Sequence, residues 1–148
     1  LRAILKILVA IDGSIPSFNA ADYGLSIAHQ FKSELIVLHI IPTLTKVGHS
    51  SGVFGLVPKN LSQKSKDEVE KWFVQIHDRA KKLGVPIESN VISTPTSPAR
   101  EIVKFADQTK VDLIIVATKG LSGIKRMLLG STAADVVKYA STSVLVAR

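Results

Sequence analysis

The chain has no cysteine at any of its 148 positions. That excludes disulfides, thiolate zinc sites, iron–sulfur clusters and cysteine nucleophiles together. Aromatic residues make up only 5%, so stacking platforms for single-stranded nucleic acid are poorly supplied. No apolar run approaches the ~20 residues needed to span a bilayer. The four histidines (His29, His39, His49 and His77) are dispersed and show no metal-ligand spacing. No secretory signal is visible: Leu1–Ile11 is apolar, but Arg2 and Lys6 interrupt it and no small-residue cleavage site follows. The first residue is Leu1 and not Met, which suggests a trimmed start. Together these absences predict a soluble, cytoplasmic chain with no metal site.

Apolar residues account for 46% and charged residues for 21%, a globular composition. The length suits one domain over residues 1–148. Nineteen basic and twelve acidic residues give a net charge of +7. A basic surface attracts phosphates of any kind. The basic residues are scattered, however, so a solvated basic surface is the simpler reading, and no specific nucleic acid is expected.

Ile4–Ile11 is nearly continuous in apolar residues, the pattern of a strand covered on both faces. Asp12-Gly13-Ser14 breaks it. A helix follows from about Pro16 to Phe31, with Ser14 or Ser17 as its cap, and with Ala20, Ala21, Leu25, Ile27 and Ala28 on its apolar face. Leu35–Ile41 is a second apolar strand, ended by Pro42. Thr43–Asn60 has no clean period and reads as a long loop, either a lid or a dimer element. In the next helix Val69, Trp72, Phe73, Ile76, Ala80 and Leu83 recur at three- and four-residue steps. Ser65 and Glu68 have capping-box spacing, and a start nearer Ser62 also fits. Ile87–Ile92 is a shorter strand. Ser97-Pro98 opens a helix with Ile102, Val103 and Ala106 inward. Val111–Ala117 is strongly apolar, Thr118–Gly130 is a loop, Ser131–Ala140 is a helix with Ala134, Val137 and Ala140 inward, and Ser143–Ala147 is the last strand.

Strict alternation of strands and helix-length crossovers predicts an α/β fold, a five-stranded parallel sheet with helices on both faces. Ligands of such sheets bind at the carboxyl ends of strands, where the strand order reverses. That rule points to Asp12, to Ile40–Pro42 and to the loop after Ala117. In that loop Gly120, Gly123 and Gly130 let backbone N–H groups face an anion without obstruction. Ser131 and Thr132 stand at a helix start, where free N–H groups and the positive dipole end favour phosphate. The plainer alternative is that the glycines only shape a turn and Ser131 only caps a helix. A Walker loop is excluded, because no Gly-Lys-Ser/Thr ending is present, and the turn after the first strand lacks the dinucleotide glycine triplet.

Val9-Ala10-Ile11-Asp12-Gly13-Ser14, Leu38-His39-Ile40, the run from Gly120 to Thr132 and the Val144-Leu145-Val146 finish resemble the universal stress protein family over essentially the whole chain. The resemblance implies a Rossmann-like sheet of the adenine nucleotide alpha hydrolase type, with strand order 3-2-1-4-5. Its nucleotide-binding branch carries Gly, two residues, Gly, nine residues, then Gly-Ser or Gly-Thr. Gly120, the nine residues that follow and Gly130-Ser131 fit; Ala117 stands where the first glycine would be. If positive φ were required there, alanine would cost roughly 1–2 kcal/mol.

The resemblance further implies ATP, ADP or AMP lying across the strand ends, with Mg²⁺ accompanying a triphosphate. Asp12 would accept from ribose hydroxyls, and the backbone at Ala10 and Ile40 would face the adenine. Ala117 and Gly120 would line the phosphate path, Gly130, Ser131 and Thr132 would hold the phosphates, Lys119 would add charge near them, and Val116 belongs to the same nucleotide-binding set. It also implies a homodimer through Ser143–Ala147. His39 and Trp72 read as core residues, Asp107 and Asp112 as surface charges, and Asp67, Glu68 and Glu70 as a helix's exposed face.

The expected function is therefore a nucleotide-dependent regulatory or stress-response protein, not a catalyst, with slow ATP hydrolysis at most. A dimeric interaction module that binds no nucleotide is the alternative. A receiver domain is disfavoured, because only Asp12 follows the first strand and Asn90–Ser93 has no carboxylate.

Overall fold

The first strand, β1 (Lys6–Ile11), is covered on both faces, and Ile7, Leu8 and Val9 are fully buried. The structure, a computed structural model, describes residues 3–43, 59–119 and 129–148, without the side chains of 59–65. The remaining elements are α1 (Ile15–Phe31), β2 (Glu34–Pro42), α2 (Lys59–Leu83), β3 (Ile87–Thr94), α3 (Pro98–Thr109), β4 (Leu113–Ala117), α4 (Ser131–Tyr139) and β5 (Ser143–Ala147). All four strand pairings are parallel, in the order β3-β2-β1-β4-β5. The expected fold class and strand order are therefore the ones observed.

Residues alternate between two cores, as period-two side chains must. Ile7, Val9, Ile11, Leu35 and Val37 pack with α1 and α2 on one face. Leu8, Ile36, Leu38, Ile40 and Ile114 pack with α3 and α4 on the other. The chain leaves β1 toward β2 on one side and finds β4 on its other side. The order thus reverses between β1 and β4, which opens a crevice at their carboxyl ends.

Several boundaries differ from the sequence expectation. β1 begins at Lys6 and β4 at Leu113, two residues inside the apolar runs that suggested them. β3 extends to Thr94, because its backbone pairs with β2 over eight residues although alternate side chains are polar. Helix α2 already runs at Lys59 and Asn60, so these two residues are not loop, and Ser65 lies inside the helix, where it is not a cap. In α4 the buried residues are Ala133 and Val136, whereas Val137 is 49% exposed. That helix is rotated about 100° from the expected phase, the angle of one residue step. Asp112 is more than a surface charge: its carboxylate accepts from the backbone N–H groups of Leu5 and Lys6, tying the start of β4 to the start of β1. Asp107 accepts from the Ser141 hydroxyl, linking α3 to the turn before β5.

Candidate functional site

At the end of β1 the chain reverses through Asp12-Gly13-Ser14. Gly13 sits at φ +82°, a left-handed conformation that side-chain-bearing residues adopt only with strain. The Ser14 N–H and hydroxyl both donate to Asp12 Oδ1, at 3.0 and 2.5 Å. Ser14 Oγ in turn accepts from Ser17 N–H and caps α1, with Pro16 in the first turn. Both of these bonds use Oδ1, so the cap does not draw on Asp12 Oδ2.

Helix α3 begins in the same way. Ser97 Oγ accepts from Arg100 N–H, and Pro98 occupies the first position. Helix α4 begins differently. Its cap residue is Gly130 at φ −67°, ψ 160°, which has no side chain to offer, and its first turn holds no acidic residue. The Gly130 N–H donates to Thr118 O, and Thr118 N–H donates to Ala147 O, so the start of α4 is fastened against the ends of β4 and β5.

A cleft of about 460 Å³ runs along this carboxyl rim. Its volume falls in the range of small-molecule sites. Ala10 and Asp12 line it from β1 and its turn, and Ile40 from β2. Val116 and Ala117 of β4, with Lys119 just beyond, form the adjoining wall. Gly130, Ser131 and Thr132 close the α4 side. Nine of the ten residues expected from the sequence thus face one cavity; the tenth, Gly120, lies outside the described residues.

The cleft has walls that the sequence did not suggest. Trp72, Val69 and Glu68 of α2 line it, as does His39. Trp72 also packs against the core, as expected, but it is only half-buried and meets His39 edge-on at 5.3 Å. His39 Nδ1 lies 2.8 Å from Ile11 O. A carbonyl can only accept, so Nδ1 carries the hydrogen. Pro98 and Ile102 of α3 also line it. An apolar stripe at helical spacing does not distinguish a core contact from a cleft contact, so these residues gave no separate signal. Lys119 brings one cation to the described lining, which also holds the carboxylates of Asp12 and Glu68.

The family model described as the universal stress protein family matches residues 4–148. The chain belongs to that family. A universal stress protein of Methanocaldococcus jannaschii is 33% identical over 144 residues, covering 97% of this chain and 81% of its own length. Universal stress protein YxiE of Bacillus subtilis is 32% identical over 145 residues, covering 97% of this chain and 98% of its own. Among solved structures, a universal stress protein in complex with cAMP superposes with a TM-score of 0.71 at 27% identity, covering 98% of this chain and 97% of that one. No described helix of this universal stress protein is long and apolar enough to cross a membrane.

Proposed function

We propose that the cleft binds an adenine nucleotide and that this universal stress protein acts as a nucleotide-dependent regulatory protein. One observation carries the reading. A carboxylate whose Oδ2 the cap does not use and a glycine-started helix with no acid in its first turn open onto the same cavity. The two ends suit the two polar ends of a nucleotide. Asp12 would accept from ribose hydroxyls. The N–H groups at the start of α4, with the Ser131 and Thr132 hydroxyls, would hold phosphate through hydrogen bonds and the helix dipole. Between them, Ala10, Ile40 and Val116 offer an apolar bed for a base. Complex formation with cAMP by a relative 27% identical to this chain supports the adenine class.

ATP, ADP and AMP all fit this donor set. Lys119 in the lining would add charge for a longer phosphate chain. Mg²⁺ would arrive with a triphosphate, keep most of its ligands as phosphate and water, and need at most Asp12 from the protein.

The test is isothermal titration with ATP, ADP and AMP, with and without Mg²⁺, after co-purified nucleotide has been extracted. Micromolar affinity, about −8 kcal/mol, is the expected result. Asp12→Ala and Gly130→Val should each remove the heat while leaving circular dichroism unchanged. No heat from the native protein, and no nucleotide in the extract, would end this reading.

A second reading is favoured by the sheet's edge. β5 is the terminal strand next to β4, and Val144, Leu145 and Val146 are half-buried. An apolar edge strand is a template for pairing with another chain. On this reading a second copy pairs along β5, with or without nucleotide. Val146→Pro should halve the mass measured by light scattering; an unchanged mass would count against the interface.

A further inference from the structure

Gly13 has more backbone freedom than any other residue type could have there. A turn built on it therefore needs support from outside to hold one conformation. The support comes from α2. The Trp72 ring atoms Cζ2 and Cη2 occupy the place a Cβ on Gly13 would take, and Cε2 lies 2.9 Å from that point. The indole is itself held between two rings. Phe18 of α1 meets it at 6.3 Å and 85°, and His39 of β2 meets it at 5.3 Å and 90°. His39 also donates from Nδ1 to Ile11 O. Asp12 thus stands between two restrained neighbours. Ile11 is held by His39, and Gly13 is held by Trp72.

We propose that Trp72 is a positioning residue for Asp12, and that through it α2 sets how strongly the cleft prefers a ribose nucleotide to its 2′-deoxy counterpart. The second half rests on the nucleotide reading above; the first does not. Trp72 acts here through the backbone of the turn. The Ser14 bonds orient the carboxylate within the turn, whereas the indole fixes the turn itself against the sheet. A smaller apolar side chain at position 72 would still fill part of the core but would leave Gly13 uncovered. The turn would then sample several conformations, and the carboxylate would lose its fixed aim at a sugar hydroxyl.

The full chain with Trp72→Leu, Trp72→Phe and Asp12→Asn separates these roles. Amide hydrogen exchange on the ligand-free protein comes first. Trp72→Leu should reduce protection of the Ser14 amide about tenfold, the scale of one hydrogen bond. The Arg100 amide, which Ser97 caps in the same way on α3, serves as the internal control and should not change. Trp72→Phe keeps a ring between Phe18 and His39 and should lie between the two, which also preserves the test if the leucine variant folds poorly.

Titration with AMP and 2′-deoxyAMP follows. The native protein should prefer AMP about tenfold, one sugar hydrogen bond to a charged group. Trp72→Leu should lose most of that preference and approach Asp12→Asn, and the double variant should be no worse than either alone. Unchanged Ser14 protection would overturn the positioning role. Equal weakening of both nucleotides would overturn the effect on selectivity, and so would equal affinities in the native protein. If the native protein binds neither nucleotide, the functional reading fails, and amide exchange still decides whether Trp72 holds the turn.

Discussion

Three helices start beside the cleft, and two of them are closed off. At α1 and α3 a serine hydroxyl accepts from an N–H of the first turn, and a proline in that turn has no N–H to satisfy. At α4 a glycine takes the cap position in almost the same backbone conformation, φ −67° and ψ 160° against −75° and 155° for Ser14. The backbone would accept serine there without strain, since these dihedrals lie in the ordinary extended region. Residue choice separates two termini that cap a first-turn N–H with their own serine from one whose cap residue has no side chain to offer. The cleft's polarity is thus built by omission: where α1 and α3 spend their own hydroxyls, the cap residue of α4 has none to spend.

Making α4 like its neighbours should produce the largest effect. Gly130→Asp places a carboxylate cap on α4 and a negative charge where phosphate would lie. Nucleotide affinity should fall by about 100-fold or more by titration, while stability to urea rises by about 1 kcal/mol. Retained affinity would break the contrast. Ser14→Ala comes next, because Ser14 caps α1 and also holds Asp12 Oδ1. It should cost about 1 kcal/mol in a urea melt and weaken nucleotide about tenfold. Ser97→Ala should cost the same ~1 kcal/mol and leave affinity within about twofold, since its hydroxyl serves α3 alone. The smallest effect lies at the opposite helix ends. Lys32 and Lys110 close α1 and α3 in the left-handed region, at φ 55° and 53°. Replacing either by glycine should raise the melting midpoint by the equivalent of about 0.5–1 kcal/mol, with no effect on binding.

Legibility in the sequence followed the strength of each physical signal. The strands of the sheet interior are nearly continuous in apolar residues, and only a doubly covered strand reads that way. Strict alternation with helices then gives a parallel sheet, whereas the strand order 3-2-1-4-5 is what the family resemblance implies. β3 was read too short because it is an edge, where Glu88, Val91 and Ser93 face water and pairing is carried by backbone alone. The start of α2 at Lys59 is not legible because its first turns carry no clear apolar step, and the cap signals at Ser62 and Ser65 point to later starts. The phase of α4 was off by one because Ala133-Ala134 and Val136-Val137 offer two equivalent apolar faces. At the cleft, Asp12 and the Gly130–Thr132 run were legible because their chemistry is specific. Trp72 and His39 were not. Their part in the cleft arises from contacts to Gly13 and Ile11 across some thirty to sixty positions, which no local pattern encodes.

That long separation has a thermodynamic consequence. The cleft draws its walls from β1, β2, α2, α3, β4 and α4 at once, so no short segment of the chain can assemble it. A ligand bound there has affinity for the complete fold and none for partly folded chains, and occupancy is therefore linked to survival of the whole molecule. At 100 times the dissociation constant such a ligand adds about 2.7 kcal/mol to unfolding, a large share of the 5–15 kcal/mol that typically holds a domain together. A cell whose ligand pool rises would slow the opening of this protein to proteases and keep more copies of it. Abundance would track the pool before any downstream partner is engaged.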